Sequence, residues 1–342
     1  RLIGAAATAW TMFDFAGQAY TLLIITVVFG DLFTRVIVGD AQNEYRLGNL
    51  LWSVALAVSY TIVLVSGPVL GAIMDFTAAK KRFLFVSYLI TVIATALLYF
   101  VEPGYVVVGM VLLVVSNLGF SAGEAFVASF LPSLGPPEDQ GKISGFGWAL
   151  GYIGGLVAAG FTLAFLGEVS AENFERIRFV GPFAAAFFLL AAIPTFAWLR
   201  EPGVGKRLPP GESYIGMALT RLRETLRDLS AFRDLSLLMV SVFFTMAGIY
   251  IIITFSFIYG AQVIGWETRV RDIMFIVVQI SAAIGAIAFG VLQDRVGAKP
   301  AYVTSLCLWI VAIACIFGTP QITQAANEWF GWTLEAQYVF LE

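Results

Sequence analysis

Two carboxylates, Asp14 and Glu124, sit inside long apolar stretches of a 342-residue chain. An ionisable group at that depth is costly and is usually functional. A carboxyl group moved out of water favours its protonated form, and a second carboxyl nearby favours it further. Such a pair could take up and release a proton. Each residue also has a structural reading: Asp14 could accept hydrogen bonds that tie helices together, and Glu124 could be a helix-end group in contact with water. Gln18 is one helical turn beyond Asp14 on the same face, which makes it the best candidate for a substrate contact. Tyr20, Asn117, Trp148, Tyr152, Tyr250 and Gln279 are further polar or aromatic groups in apolar surroundings, and they read more readily as packing or interface anchors. The chain has no histidine, which excludes a His-ligated metal, a Ser-His-Asp triad and a histidine relay. Cys307 and Cys315 share one apolar block; on one straight helix they stand ~12 Å apart, too far to pair, and read as buried free thiols. No catalytic residue, metal or cofactor is expected, and an enzyme has little to work with.

The elements that must hold these groups are membrane helices. Hydrophobic residues make up 59% of the chain, charged residues only 13%, and the mean hydropathy is +0.87. That excludes a soluble globular domain, a disordered chain and a nucleic-acid binder. The apolar residues fall into blocks of roughly twenty, the length a bilayer-spanning helix needs, and a helix satisfies its own backbone hydrogen bonds in lipid. Spans are expected over 6–29, 50–73, 83–101, 105–131, 143–166, 180–199, 235–259, 273–292 and 302–317, none of them holding Lys or Arg. With the N-terminus in the cytoplasm, 14 of the 20 Lys and Arg residues fall on the cytoplasmic side, as the positive-inside rule requires. In that frame Asp14 lies roughly 12 Å and Glu124 roughly 10 Å from the cytoplasmic face, at similar depth.

The longest polar stretch, 200–234, opens with a Pro/Gly-rich loop that includes Pro209 and Pro210. Residues 214–229 then read as an amphipathic helix lying on the cytoplasmic surface, with Ile215, Leu219, Leu222 and Leu226 on one face. This linker divides the chain into a six-helix N-terminal bundle (1–199), the linker (200–234) and a partial C-terminal bundle (235–342). A weak repeat supports the division. Gly71, Asp75, Lys80, Lys81 and Arg82 follow the second span, and Gly290, Asp294, Arg295 and Lys299 follow the eighth. Each copy sets a glycine four residues before an aspartate, with basic residues after it, and an offset of six helices suits a transporter built of two halves.

The two loops resemble the G-x-x-x-D-R-x-G-R-R/K signature of the major facilitator superfamily. The first copy departs from it, with Phe76 for the arginine and Ala78 for the second glycine. The string Ala9-Trp10-Thr11-Met12-Phe13-Asp14-Phe15-Ala16 resembles the A-W-x-x-Y/F-D-F-A opening of the vacuolar-effluxer-like branch, the autophagy-related amino-acid effluxers and their bacterial relatives. Leu131-Pro132 and the run from Ile143 to Gly155 resemble the same branch. The resemblance implies an all-α polytopic fold of twelve helices, so three helices are expected beyond the nine spans read here. It also implies alternating access and export of small solutes, amino acids for the vacuolar members.

In the resembled fold the first and fourth helices line the central cavity, so Asp14, Gln18 and Glu124 are expected to face one water-filled space. The fifth and eighth helices meet between the halves. Gly147, Gly151 and Gly155 on one, and Ala282, Ala286 and Gly290 on the other, recur every four residues, a spacing that lets backbones approach closely. They are read as a sliding seam, with ordinary packing inside one half as the alternative. The Asp75 and Asp294 loops are read as latches, each aspartate capping a helix N-terminus or pairing with a loop arginine. The expected partners are a small-molecule substrate, protons and the lipid bilayer. The leading function is proton-coupled efflux of an amino-acid-like solute by a secondary transporter. The alternative is a non-transporting subunit or assembly factor of a membrane complex. The membrane would be the plasma (inner) membrane of a prokaryote or the vacuolar membrane of a eukaryote.

Overall fold

Backbone groups in lipid have no water to bond, so each apolar block closes its own hydrogen bonds as a helix. The computed structural model describes residues 4–167, 169–206, 208, 211, 213–260, 264–266, 268–332 and 335, and among these there is no strand. Six helices come first: α1 (Ala5–Val38), α2 (Arg46–Thr77), α3 (Lys80–Phe100), α4 (Val106–Ser133), α5 (Pro137–Leu166) and α6 (Phe174–Trp198). The polar helix α7 (Tyr214–Asp228) follows. Then come α8 (Arg233–Tyr259), α9 (Thr268–Val296), α10 (Ala298–Phe317) and α11 (Thr319–Phe330). Among the described residues nine helices are long and apolar enough to cross a membrane. Pro209 and Pro210, named in the loop of the linker, lie outside the described residues.

The helices are longer than the apolar limits implied. The first runs to Val38 rather than 29, and the second from Arg46 to Thr77. Arg35, Arg46, Lys142 and Arg295 are therefore helical, each towards a helix end and outside the apolar limits of the spans. Helical hydrogen bonding does not stop at the edge of an apolar run; it continues wherever polar side chains can reach water. Within α1 the α-helix gives way to π-helix at Thr21–Val27 and Phe33–Val38. Cys307 and Cys315 are free but exposed on α10, not buried. An apolar spanning helix can show such residues to lipid at no cost.

The chain forms two compact units, one reaching Arg223 and taking in Ala282–Asp294, the other holding Glu224–Ser281 and the chain from Arg295 on. The first unit has an aromatic core. Phe13 meets Phe188 edge-on at 5.3 Å and Tyr88 meets Phe188 at 5.2 Å. Helix α1 is central to it. Trp10 Nε1 donates to the Val127 carbonyl of α4 at 2.7 Å, and Thr195 Oγ1 of α6 donates to the Ala9 carbonyl at 2.7 Å. In the second unit the Tyr302 hydroxyl on α10 bonds Thr245 Oγ1 on α8 at 2.7 Å.

Candidate functional site

Helix α1 carries Asp14 and Gln18 on one face because they are four residues apart. That face packs against α5, where glycines leave room. A Cβ on Gly147 would stand 2.6 Å from Asp14 Oδ2 and 2.9 Å from the Trp10 ring. A Cβ on Gly151 would stand 3.5 Å from Gln18 Cγ, an ordinary contact. The other flank of α1 meets α4: a Cβ on Gly17 would lie 3.7 Å from Glu124 Oε1 and 3.2 Å from the Phe120 ring. Asp14 and Glu124 are close enough to interact electrostatically. Asp14 is half-buried and Glu124 is exposed. Among the described residues neither carboxylate has a hydrogen-bond donor or a cation as partner. Two acidic groups thus share one wall, with a glycine-lined amide beside them.

The polar groups deeper in the bundle are already paired. The Tyr20 hydroxyl bonds Ser116 Oγ at 2.9 Å, and Asn117 Nδ2 donates to Ser59 Oγ at 2.6 Å. Both pairs are buried and join α4 to α1 or α2. Trp148 on α5 is exposed, its ring 6.2 Å from that of Tyr152.

The small-residue stripe has a different register from the one expected. Gly147 and Gly151 face α1. Gly141 and Gly145 are the residues that meet the 282–294 segment of α9, packing on Gly290 and the Ala286 carbonyl. The Gly290 Cα is 3.3 Å from the Cβ position of Gly145, so the backbones touch. Gly155 is buried in α5. The spacing of four holds on two faces of one helix because α5 has glycine or alanine at most positions of both.

The two signature loops differ. The Asp294 side chain is only 4% exposed, and its carboxylate accepts from the Gly141 and Lys142 backbone N–H groups at 2.8 and 2.9 Å. It caps the start of α5, where free N–H groups and the helix dipole favour an anion. Asp75 caps nothing among the described residues. It is exposed and pairs with Lys80 Nζ at 3.2 Å, and Lys80 also donates to the Ser129 carbonyl at 3.0 Å. The start of α3 is capped instead by Glu201, which accepts from the Lys80 and Lys81 N–H groups at 2.7 Å each. Sequence reasoning missed Glu201; it lies about 120 residues away, and no local spacing links it to α3. It also missed Gly17, Phe120, Gly141 and Gly145, which the glycine pattern alone could have offered. Gly71, Lys81, Arg82, Arg295 and Lys299 lie in or beside the two loops at half-buried or exposed positions.

The nine long apolar helices among the described residues mark an integral, multi-pass membrane protein. The fold is that of the major facilitator superfamily. The structure of the proton:xylose symporter XylE bound to 6-bromo-6-deoxy-D-glucose superposes with a TM-score of 0.62, at 16% identity over 87% of this chain and 70% of that one. The chain belongs to the family described as Vacuole effluxer Atg22 like, whose model matches residues 51–341. It is 26% identical over 315 residues to the uncharacterized MFS-type transporter YxiO of Bacillus subtilis (strain 168), covering 90% of this chain and 72% of that protein. It is 19% identical to autophagy-related protein 22 of Coccidioides immitis (strain RS), covering 82% of this chain but only 56% of that relative's length.

Proposed function

We propose that the protein exports a small amino-acid-like solute by alternating access, coupled to protons. The observation that carries the reading is the Asp14–Glu124 pair, two interacting carboxylates on one wall that no donor or cation neutralises among the described residues. A carboxylate kept for structure would be held by donors. An unheld pair is free to exchange a proton with the cavity as access alternates. Gln18, on the same face of α1, offers an amide to the substrate. The word effluxer in the family description supports the direction.

The Asp294 cap on α5 serves as a latch in this reading, and Gly71, Asp75, Lys80, Lys81 and Arg82 form its counterpart in the first loop. Gly141 and Gly145 against Ala286 and Gly290 act as the seam along which α5 and α9 slide. Gly147 and Gly151 instead make room for Asp14 and Gln18. The chain is organised as 1–199, 200–234 and 235–342, with its N-terminus in the cytoplasm. The test is flux of a labelled amino-acid pool into proteoliposomes, with and without a pH gradient. Gradient-driven flux in the native protein, reduced at least tenfold in Asp14→Asn with normal folding, is the expected result. Equal flux and equal pH dependence in the variant would remove Asp14 from the mechanism.

A further inference from the structure

The last turn of a helix leaves backbone carbonyls without partners, and the first turn leaves N–H groups. At the turn between α2 and α3, the linker after α6 serves both ends at once. Phe76 O, in the last turn of α2, accepts from the Lys206 N–H at 2.9 Å. Glu201, five residues earlier, takes the Lys80 and Lys81 N–H groups at the start of α3. Gly205 presses on the end of α2: a Cβ there would collide with the Thr77 carbonyl, so a side chain would lift the linker away. The turn itself needs holding. Ala78 has a left-handed backbone, φ 46°, where the signature has its second glycine. Alanine adopts that conformation only at a cost.

A second observation concerns Phe76, which stands where the signature has its arginine. The Arg221 guanidinium of α7 lies over the Phe76 ring, 4.9 Å from its centroid, within the range of a cation–π contact. Phe76 also ends α2, and a helix C-terminus favours a nearby cation. The shielded residues of α7 share a face with Arg221. Met217 and Leu222 are half-buried and Ala218 is buried, and all three fall within about 100° of Arg221 around the helix. Arg223 is exposed and lies about 200° away, on the far side. Helix α7 thus turns its Arg221 face inward, and its guanidinium meets the ring that replaced the signature arginine.

We propose that the linker is a strap that locks the turn between α2 and α3, with Arg221 supplying from α7 the guanidinium that the signature sets at position 76. Its fastenings are Glu201 on the start of α3, Gly205 and Lys206 on the end of α2, and Arg221 on the Phe76 ring. Strap and turn open and close as one unit, because the same short segment completes both helix ends. Displacing the linker therefore frees the ends of α2 and α3 together, which makes it a point of control over this end of the first unit. All these contacts lie within that unit, and the strap is independent of what the protein transports.

Hydrogen–deuterium exchange of the full protein in detergent tests this at the Lys80, Lys81 and Lys206 amides, since exchange reports local opening. Arg221→Gln removes the charge at an exposed position, and Phe76→Leu keeps an apolar side chain without the ring face. Each should speed exchange at all three amides about two- to fivefold, the effect of losing one exposed cation–π contact. The double variant should be no faster than the faster single one. Phe76→Tyr, which keeps the ring, and Arg223→Gln, on the far side of α7, should exchange as the native protein does. Gly205→Ala is a second handle that leaves Phe76 and Arg221 in place, and it should speed the same three amides. Native rates in both Arg221→Gln and Gly205→Ala would overturn the proposal. So would faster exchange at Lys206 with Lys80 and Lys81 unchanged, since strap and turn would then be separate. Amides in the middle of α1 are the reference; equal acceleration there would mean general loosening and would also overturn it.

Discussion

At the scale of single residues, Gly147 decides whether the carboxylate site exists. Its missing side chain is the space that Asp14 Oδ2 occupies, since a Cβ would come within 2.6 Å of that oxygen. Gly151, one turn on, has ordinary clearance from Gln18. Gly147→Ala should therefore lower the thermal midpoint of the detergent-solubilised protein, by the equivalent of about 1–3 kcal/mol of overpacking. Gly151→Ala should leave the midpoint unchanged or raise it slightly, because alanine restricts the unfolded chain at no steric cost. Thermal unfolding of the two variants side by side checks this, and equal destabilisation would mean that the Asp14 contact is not what Gly147 serves. Asp14 and Glu124 were legible in the sequence because acids stand out in apolar runs. The need for glycine beside them was not, since it depends on which face of α5 meets α1.

At the scale of elements, two helix starts are closed by acids from distant parts of the chain. Asp294 caps α5 and Glu201 caps α3, each accepting from two backbone N–H groups. Replacing either by alanine leaves those donors unpaired and should cost about 1 kcal/mol. Glu201→Gln keeps one acceptor, but its amide NH2 stands where the second oxygen accepted and the charge is lost, so it should cost about as much as alanine. Thermal midpoints across the three variants order these terms. A Glu201→Gln loss far below that of Glu201→Ala would mean that a single neutral acceptor suffices for this cap. The repeated loop was visible as a motif, yet its two copies behave differently. Asp294 reaches a helix start, whereas Asp75 meets the lysine five residues on. Sequence spacing identifies an acid that could cap, and only packing decides which helix start lies within reach.

At the scale of the whole molecule, the proposed orientation, N-terminus in the cytoplasm, rests on the excess of Lys and Arg on one set of loops. Single cysteines placed in a background without Cys307 and Cys315 read it directly. A cysteine at Ser213 should react with an impermeant thiol reagent from the cytoplasmic side only, and one at Gln42 from the outer side only. The reverse pattern would overturn the assignment. The same chemistry accounts for the two exposed native thiols on α10. In a soluble protein they would be unexpected, but on a spanning helix lipid is as good a solvent for them as a protein core.

Composition and hydropathy alone determined that this chain is a bundle of membrane helices, because the cost of unpaired backbone in lipid leaves few alternatives. The sequence also located its acidic groups, its amphipathic linker and its repeated loops, since each departs locally from an apolar background. Tertiary structure alone decided the rest. It set the register in which α5 turns one row of glycines to Asp14 and another to Gly290, and it brought Glu201 to the start of α3. Both depend on how helices rotate about their axes as they pack, a long-range choice made by side-chain fit over whole helices, to which no local pattern is sensitive.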